Sequence, residues 1–179
     1  MPFIQTEIKG VVIFEPRIFT DARGYFFETY NENVFKEAGI DAKFVQDNQS
    51  KSSYGVIRGL HFQKGEHAQA KLVRVLQGTV LDVALDLREG SETFGKHVAV
   101  ELSSENNRQL FIPRGFAHGF SVLSETAVFA YKCDNFYCKE SEGGLNCADT
   151  DLGIDWRVPV ESACISDKDK LLPRFKECY

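Results

Sequence analysis

An all-β fold, a sandwich or barrel of many short strands, is what this sequence predicts, and three observations predict it. Short apolar or alternating runs recur along the chain, separated by breaks that contain Gly, Pro, Asn or Ser. Aromatic residues make up 12% of the chain, with Phe used heavily, and flat rings pack well on pleated surfaces. Helical material is minor. With 179 residues and 43% apolar content the chain supplies one ordinary core, so a single domain over residues 1–179 is expected.

GVVIFEPRIF (10–19) and YFFETY (25–30) read as the first strands. Residues 32–38 fit a short helix ended by Gly39. GVIRGLHFQ (55–63) follows as a strand. KLVRVLQGTVLDVALDLR (71–88) holds two alternating runs around Gln77-Gly78-Thr79, the pattern of a hairpin between half-buried strands. In its second run Leu81, Val83, Leu85 and Leu87 share one face, and Asp82, Ala84, Asp86 and Arg88 the other. HVAVEL (97–102), RQLFIP (108–113), GFSVL (119–123) and AVFAYKC (127–133) complete the strands, and residues 168–172 form a terminal turn stopped at Pro173. No internal repeat, low-complexity segment or linker interrupts this order.

The formal net charge of -5 argues against non-specific nucleic-acid binding, which needs a basic face, so an anionic ligand would have to be held locally. MPFIQTEIKG is not a basic leader followed by an apolar core, and no apolar run reaches membrane length; a cytoplasmic protein without membrane partners is expected. The five cysteines are odd in number and contain no C-x-x-C pair, which fits reduced thiols better than a disulfide framework or a zinc knuckle.

A barrel of this size can enclose one small-ligand cavity, so inward polar residues are the candidates for function. His61 stands on an apolar strand with Arg58 before it and Lys71 and Arg74 after it. Histidine as a residue type titrates near neutral pH and can serve as a general base; the alternative is a core histidine bonded to a backbone carbonyl. On a regular strand His61 shares a face with Ile57, Gly59 and Gln63 while Arg58 points the other way, unless Gly59 introduces a bulge. Lys71 opens its strand on a mostly apolar face, where it needs a ligand or a counter-charge such as Asp82 or Asp86, or else snorkels to water.

No metal site is expected, because His61, His67, His97 and His118 include no H-x-H pair. The nucleophile-elbow, P-loop and dinucleotide-binding motifs are missing. Proton abstraction beside a carbonyl fits what remains: a base removes the proton, a cation stabilises the enolate, and an acid on the opposite face returns a proton.

DARGYFFE (21–28), FVQDNQSKS (44–52), VIRGLHFQ (56–63), IPRGFAHGF (112–120) and SDKD (166–169) together closely resemble the dTDP-4-dehydrorhamnose 3,5-epimerase family, in order and across nearly the whole chain. The resemblance implies a double-stranded β-helix, or cupin-like jelly roll, acting as a homodimer without metal or cofactor. It implies conversion of dTDP-4-dehydro-6-deoxy-D-glucose to dTDP-4-dehydro-L-rhamnose, with inversion at both carbons flanking the ketone. Matched residue by residue, it gives His61 as base, Asp169 as its orienting carboxylate with Asp167 as a nearby rival, Lys71 as enolate-stabilising cation and Tyr131 as opposing acid. Arg23 and Arg58 match diphosphate-binding positions, and Tyr137 an aromatic that stacks on thymine. Glu28, Gln46, Asn48, His118, Glu142 and Lys168 match further substrate contacts. Arg23 and Glu28 are expected to act across the dimer interface, since family members exchange amino-terminal strands. Cys147 and Ala148 depart from the tryptophan and asparagine common in the family. Alternatives are an epimerase acting at one carbon or on another nucleotide-linked keto sugar, a metal-dependent cupin, and a non-catalytic sugar-nucleotide binder.

Overall fold

The structure, a computed structural model, describes residues 2–179. Thirteen strands are present among the described residues: β1 (Phe3–Gln5), β2 (Val12–Phe14), β3 (Phe19–Asp21), β4 (Gly24–Phe26), β5 (Gln46–Ser53), β6 (Ile57–Gln63), β7 (Lys71–Gln77), β8 (Thr79–Asp86), β9 (His97–Ser103), β10 (Gln109–Ile112), β11 (Phe116–Val122), β12 (Thr126–Cys133) and β13 (Glu142–Gly144). They form a six-stranded sheet ordered β1-β2-β10-β7-β12-β5, a five-stranded sheet ordered β13-β6-β11-β8-β9, and the separate hairpin β3-β4. Every strand pair is antiparallel. This is the expected all-β jelly roll, with short helices α1 (Glu32–Glu37), α2 (Asp167–Lys170) and α3 (Phe175–Cys178) at its edges. No helix among the described residues is long and apolar enough to cross a membrane.

Alternation along the strands builds the core. Val73 and Val75 of β7 face Val80 and Ala84 of β8 across the sandwich, joined by Leu110, Ile112, Phe120 and Phe129. The opposite face of β8, carrying Leu81, Val83 and Leu85, is covered by the carboxy-terminal segment through Leu145, Leu152 and Trp156. A third cluster seats Phe35 of α1 against Phe14, Leu72 and Phe111. The half-buried reading of β8 is therefore corrected: from Val80 to Asp86 the strand is buried on both faces.

The hairpin expected over residues 71–88 does not form. β7 pairs with β10 and β12, whereas β8 pairs with β9 and β11, so the chain changes sheet at Gly78. Gly78 has φ +80, and a Cβ there would lie 2.1 Å from the Thr126 carbonyl oxygen. A tight corner between two sheets and a hairpin turn leave the same alternating pattern, and only the partners differ.

GVVIFEPRIF divides at Pro16, which has no N–H for a ladder, into β2 and β3. Residues 27–30 of YFFETY lie outside β4. Strand β5, QDNQSKSS, was not anticipated, because it is polar throughout; it is held as an edge strand along the whole of β12. Helix α1 starts where the Asn31 side chain accepts a hydrogen bond from the Asn33 N–H at 3.1 Å.

Candidate active site

The two sheets part at one end around a cavity of about 630 Å³. Asn48, Arg58, His61, Lys71, His118, Tyr131, Lys168 and Asp169 line it. His61 comes from β6 of the five-stranded sheet, whereas Tyr131 on β12 and Lys71 on β7 come from the six-stranded sheet opposite. An imidazole and a phenol therefore stand on facing walls, with the Lys71 Nζ 5.8 Å from the Tyr131 ring centroid.

A bulge explains how Arg58 and His61 reach the same space. His118 of β11 pairs with His61 and Phe120 with Arg58, so two steps on β11 oppose three on β6. Gly59 makes this possible: its φ is +126, and a Cβ would lie 2.5 Å from Gly119 Cα and 2.8 Å from the His118 carbonyl oxygen. The opposite-face reading of a regular strand gives way to the bulged alternative.

His61 Nε2 lies 2.8 Å from Asp169 Oδ1. Asp169 sits in the first turn of α2, where its N–H donates to Ser166 Oγ at 3.1 Å. Burial works to raise the Asp169 carboxyl, but hydrogen bonds from His61, Gly59 N–H and Ser166 and the charge of the same ring outweigh it and hold the group below its usual value. Asp167, the rival, is exposed and pairs with Lys170 at 3.3 Å. With Nε2 committed to Asp169, Nδ1 of His61 has no hydrogen-bond partner among the described residues. The pair thus fixes the ring and leaves one nitrogen for a ligand.

Burial raises the Tyr131 phenol above its ordinary value; Cys133 adds to the rise and Arg58 opposes it. A phenol so placed stays protonated at neutral pH and can donate. Burial lowers the Lys71 ammonium from its ordinary value, while Cys133 and Asp82 oppose the change. Of the two counter-charges considered for Lys71, Asp86 is excluded: it pairs with Arg88 and accepts hydrogen bonds from Ser91 and Thr93.

His118 is buried and its Nε2 lies 2.9 Å from Asp82 Oδ2. Burial lowers the His118 ring's pKa against the opposing Asp82 charge and hydrogen bond, and Lys71 and His61 lower it further. Gln46, Tyr137 and Glu142 are not on the cavity lining but are tied to it: lining Lys168 donates to Glu142 at 2.6 Å, the Tyr137 hydroxyl donates to the same carboxylate at 3.1 Å, and Gln46 accepts from the Tyr137 N–H at 3.1 Å. Gln46 also donates to Asn48 at 3.2 Å, joining the rim to the cavity wall. Among the described residues no three His, Cys, Asp or Glu side chains converge as metal ligands.

Arg23 and Glu28 are not brought to this cavity. Arg23 lies on the β3-β4 arm, exposed and paired with Asp21 through its guanidinium. The arm is aromatic on its surface, with Phe19, Tyr25 and Phe26 50%, 66% and 71% exposed. Phe129, two residues before Tyr131 on β12, and Phe120 line the cavity unanticipated. The alternation of AVFAYKC marks Phe129, since i and i+2 share a face. Ser50 lines it as well, and polar β5 carried no such signal. Cys147 is buried against Trp156, whose Nε1 donates to the Cys147 carbonyl at 2.8 Å, so this departure bears on packing.

A family model for dTDP-4-dehydrorhamnose 3,5-epimerase matches residues 5–177. A Shigella flexneri dTDP-4-dehydrorhamnose 3,5-epimerase is 55% identical over 170 residues, 94% of this chain and 93% of that protein. The crystal structure of dTDP-4-dehydrorhamnose 3,5-epimerase from Elizabethkingia anophelis superposes with a TM-score of 0.95 at 60% identity, covering 98% of this chain and 97% of that one. A Legionella pneumophila dTDP-6-deoxy-D-glucose-3,5-epimerase in complex with dTDP-4-keto-L-rhamnose superposes at 0.89 with 48% identity, covering 97% of each chain.

Proposed function

The chain belongs to the dTDP-4-dehydrorhamnose 3,5-epimerase family, and we propose the following account of how its cavity performs that reaction. The enzyme converts dTDP-4-dehydro-6-deoxy-D-glucose to dTDP-4-dehydro-L-rhamnose, inverting the two carbons beside the C4 ketone. Nδ1 of His61 takes the proton from the carbon; Asp169 holds the ring through Nε2 and stabilises the imidazolium that results. The Lys71 ammonium stabilises the oxygen of the enolate. Tyr131, protonated at neutral pH, returns a proton from the opposite face, and the configuration inverts. A positioned acid or base contributes roughly 10² to 10⁴ in rate, so the two groups together supply much of what such an exchange requires. The chemistry asks for no cofactor.

Around this centre Arg58 binds the diphosphate and Tyr137 stacks on the thymine, while Gln46, Asn48, His118, Glu142 and Lys168 complete the contacts. Arg23 and Glu28 serve the partner's cavity in a homodimer. The exposed aromatic arm supports this, being suited to lie on a second copy of the chain. The residues 1–179 act as one cupin-like domain, and five unpaired thiols suit a cytoplasmic location.

The single observation that carries the reading is the pair of facing walls, imidazole on one and phenol on the other, across one cavity beside a lysine. The test is to incubate the purified protein with dTDP-4-dehydro-6-deoxy-D-glucose and assign the product by NMR. Inversion at both carbons is expected. Inversion at one carbon would replace the account with the single-carbon reading, and an unchanged sugar that still binds would make the protein a carrier.

A further inference from the structure

Asp82 is wholly buried, and only one of its carboxylate oxygens is used. Oδ2 meets His118 Nε2 at 2.9 Å, whereas Oδ1 is the one buried side-chain polar atom among the described residues without a hydrogen-bond partner. Such an atom forfeits its hydration with nothing in return, so a fold that keeps it has another use for the charge.

The topology gives the direction of that use. On β8, Asp82 alternates with Val80 and Ala84, which face the interior between the sheets; on β7, Lys71 alternates with Val73 and Val75, which face the same interior. Lys71 has no ion-pair partner within 4.0 Å among the described residues, although it lines the cavity. The other titratable or charged groups that line the cavity with it or act on it are Cys133 and Tyr131 on β12, His118 on β11, His61 and Arg58 on β6, and Lys168 and Asp169 on α2, of which Asp169 is committed to His61. Cys133 cannot supply a charge at neutral pH, because burial pushes its thiol up to about 11. Asp82 is the carboxylate that opposes the lowering of the Lys71 ammonium by burial.

Resting on the functional reading above, we propose that Asp82 is a positioning residue for Lys71. His118 anchors one of its oxygens, and the unpartnered oxygen supplies the fixed negative charge that keeps the Lys71 ammonium charged and held toward the sugar ketone. Asp82 touches no reacting atom; it acts through Lys71.

Asp82→Asn, which keeps the shape and removes the charge, should lower kcat by roughly 10²-fold, the scale of one lost oxyanion donor. It should also move the basic limb of the kcat profile at least about one pH unit toward neutrality, as expected when an opposite charge is withdrawn from a buried ammonium. In a Lys71→Met background the same substitution should change kcat by less than about twofold, because coupled residues fail to add. Independent losses that multiply, or a uniform loss at every pH, would reduce Asp82 to a packing role and overturn the proposal. A measurement on the unmodified protein covers the case of a misfolded variant. With ¹³C-labelled lysine, the Lys71 side-chain signal, assigned through Lys71→Arg, should remain that of an ammonium throughout the pH range in which the enzyme turns over; a neutral amine anywhere in that range would overturn the proposal. That titration needs no substrate, whereas lack of turnover by the unmodified enzyme would count against the functional reading alone.

Discussion

Two histidine-carboxylate pairs have their histidines side by side on neighbouring strands, and they differ in access and in how the carboxylate is held. His61 and His118 are cross-strand partners on β6 and β11, and each offers Nε2 to an aspartate, at 2.8 Å and 2.9 Å. The His61 side chain is 37% exposed, while that of His118 is 8% exposed. In the first pair the carboxylate arrives from a helix near the carboxy terminus and is hydrogen-bonded on both oxygens. In the second it lies deep in the sandwich with one oxygen unpartnered. The same two residue types thus leave a ring open to the cavity in one place and a pair largely shielded from solvent in the other. Burial, more than residue identity, divides the roles.

The largest effect that sharpens this contrast is His61→Ala. It should abolish epimerisation by about 10³-fold or more while leaving the melting temperature nearly unchanged, since the ring is partly open to solvent. Tyr131→Phe comes next. Epimerisation should fall by about 10²-fold and hydrogen exchange by less, because abstraction and return on the original side survive; a variant that loses both equally would break the assignment of the two faces.

His118→Ala should show the reverse balance. Removing the ring strands a buried carboxylate with neither oxygen bonded, at a cost of about 3 kcal/mol or a melting point about 10 °C lower. A fully stable His118→Ala would collapse the distinction between the pairs. The pH dependence follows from the lowered His118 pKa, whose first cause is burial. Unfolded chains bind a proton near pH 6.5 that the folded ring refuses, so its stabilising contribution is whole above that value and is lost as pH falls through the lower folded value. Half-buried His97, also lowered chiefly by burial, acts in the same direction. His118→Gln should therefore flatten only part of the fall in melting temperature between pH 7 and pH 5. The smallest effect belongs to the rim: Lys168 is exposed and its bond to Glu142 is open to water, so Lys168→Ala should raise KM by about fivefold or less, within 1 kcal/mol.

How much of this was legible depended on whether the signal was local. Alternation exposed β6 to β12 because each buries at least one apolar face, and it put His61 on a strand beside Arg58. It could not reveal β5, whose polar side chains contribute to the cavity and its mouth, nor the change of sheet at Gly78, where only tertiary partners tell a corner from a hairpin. The bulge at Gly59 was legible as an alternative and was decided by the close approach of Gly119. The choice between Asp167 and Asp169 was decided by the turn of α2: the first points to Lys170 and the second to His61. Asp82 was visible as one of two acids that could answer Lys71, but its unpartnered oxygen is a property of packing alone.

The central claim is that His61 is the group that moves hydrogen at the carbons beside the ketone. Its most direct test is deuterium incorporation in heavy water, followed at each ring carbon of the nucleotide sugar, for the unmodified enzyme and for His61→Asn. The account predicts label at both carbons with the former, and none with the latter although it still folds and binds the nucleotide. Label that persists in His61→Asn would contradict it.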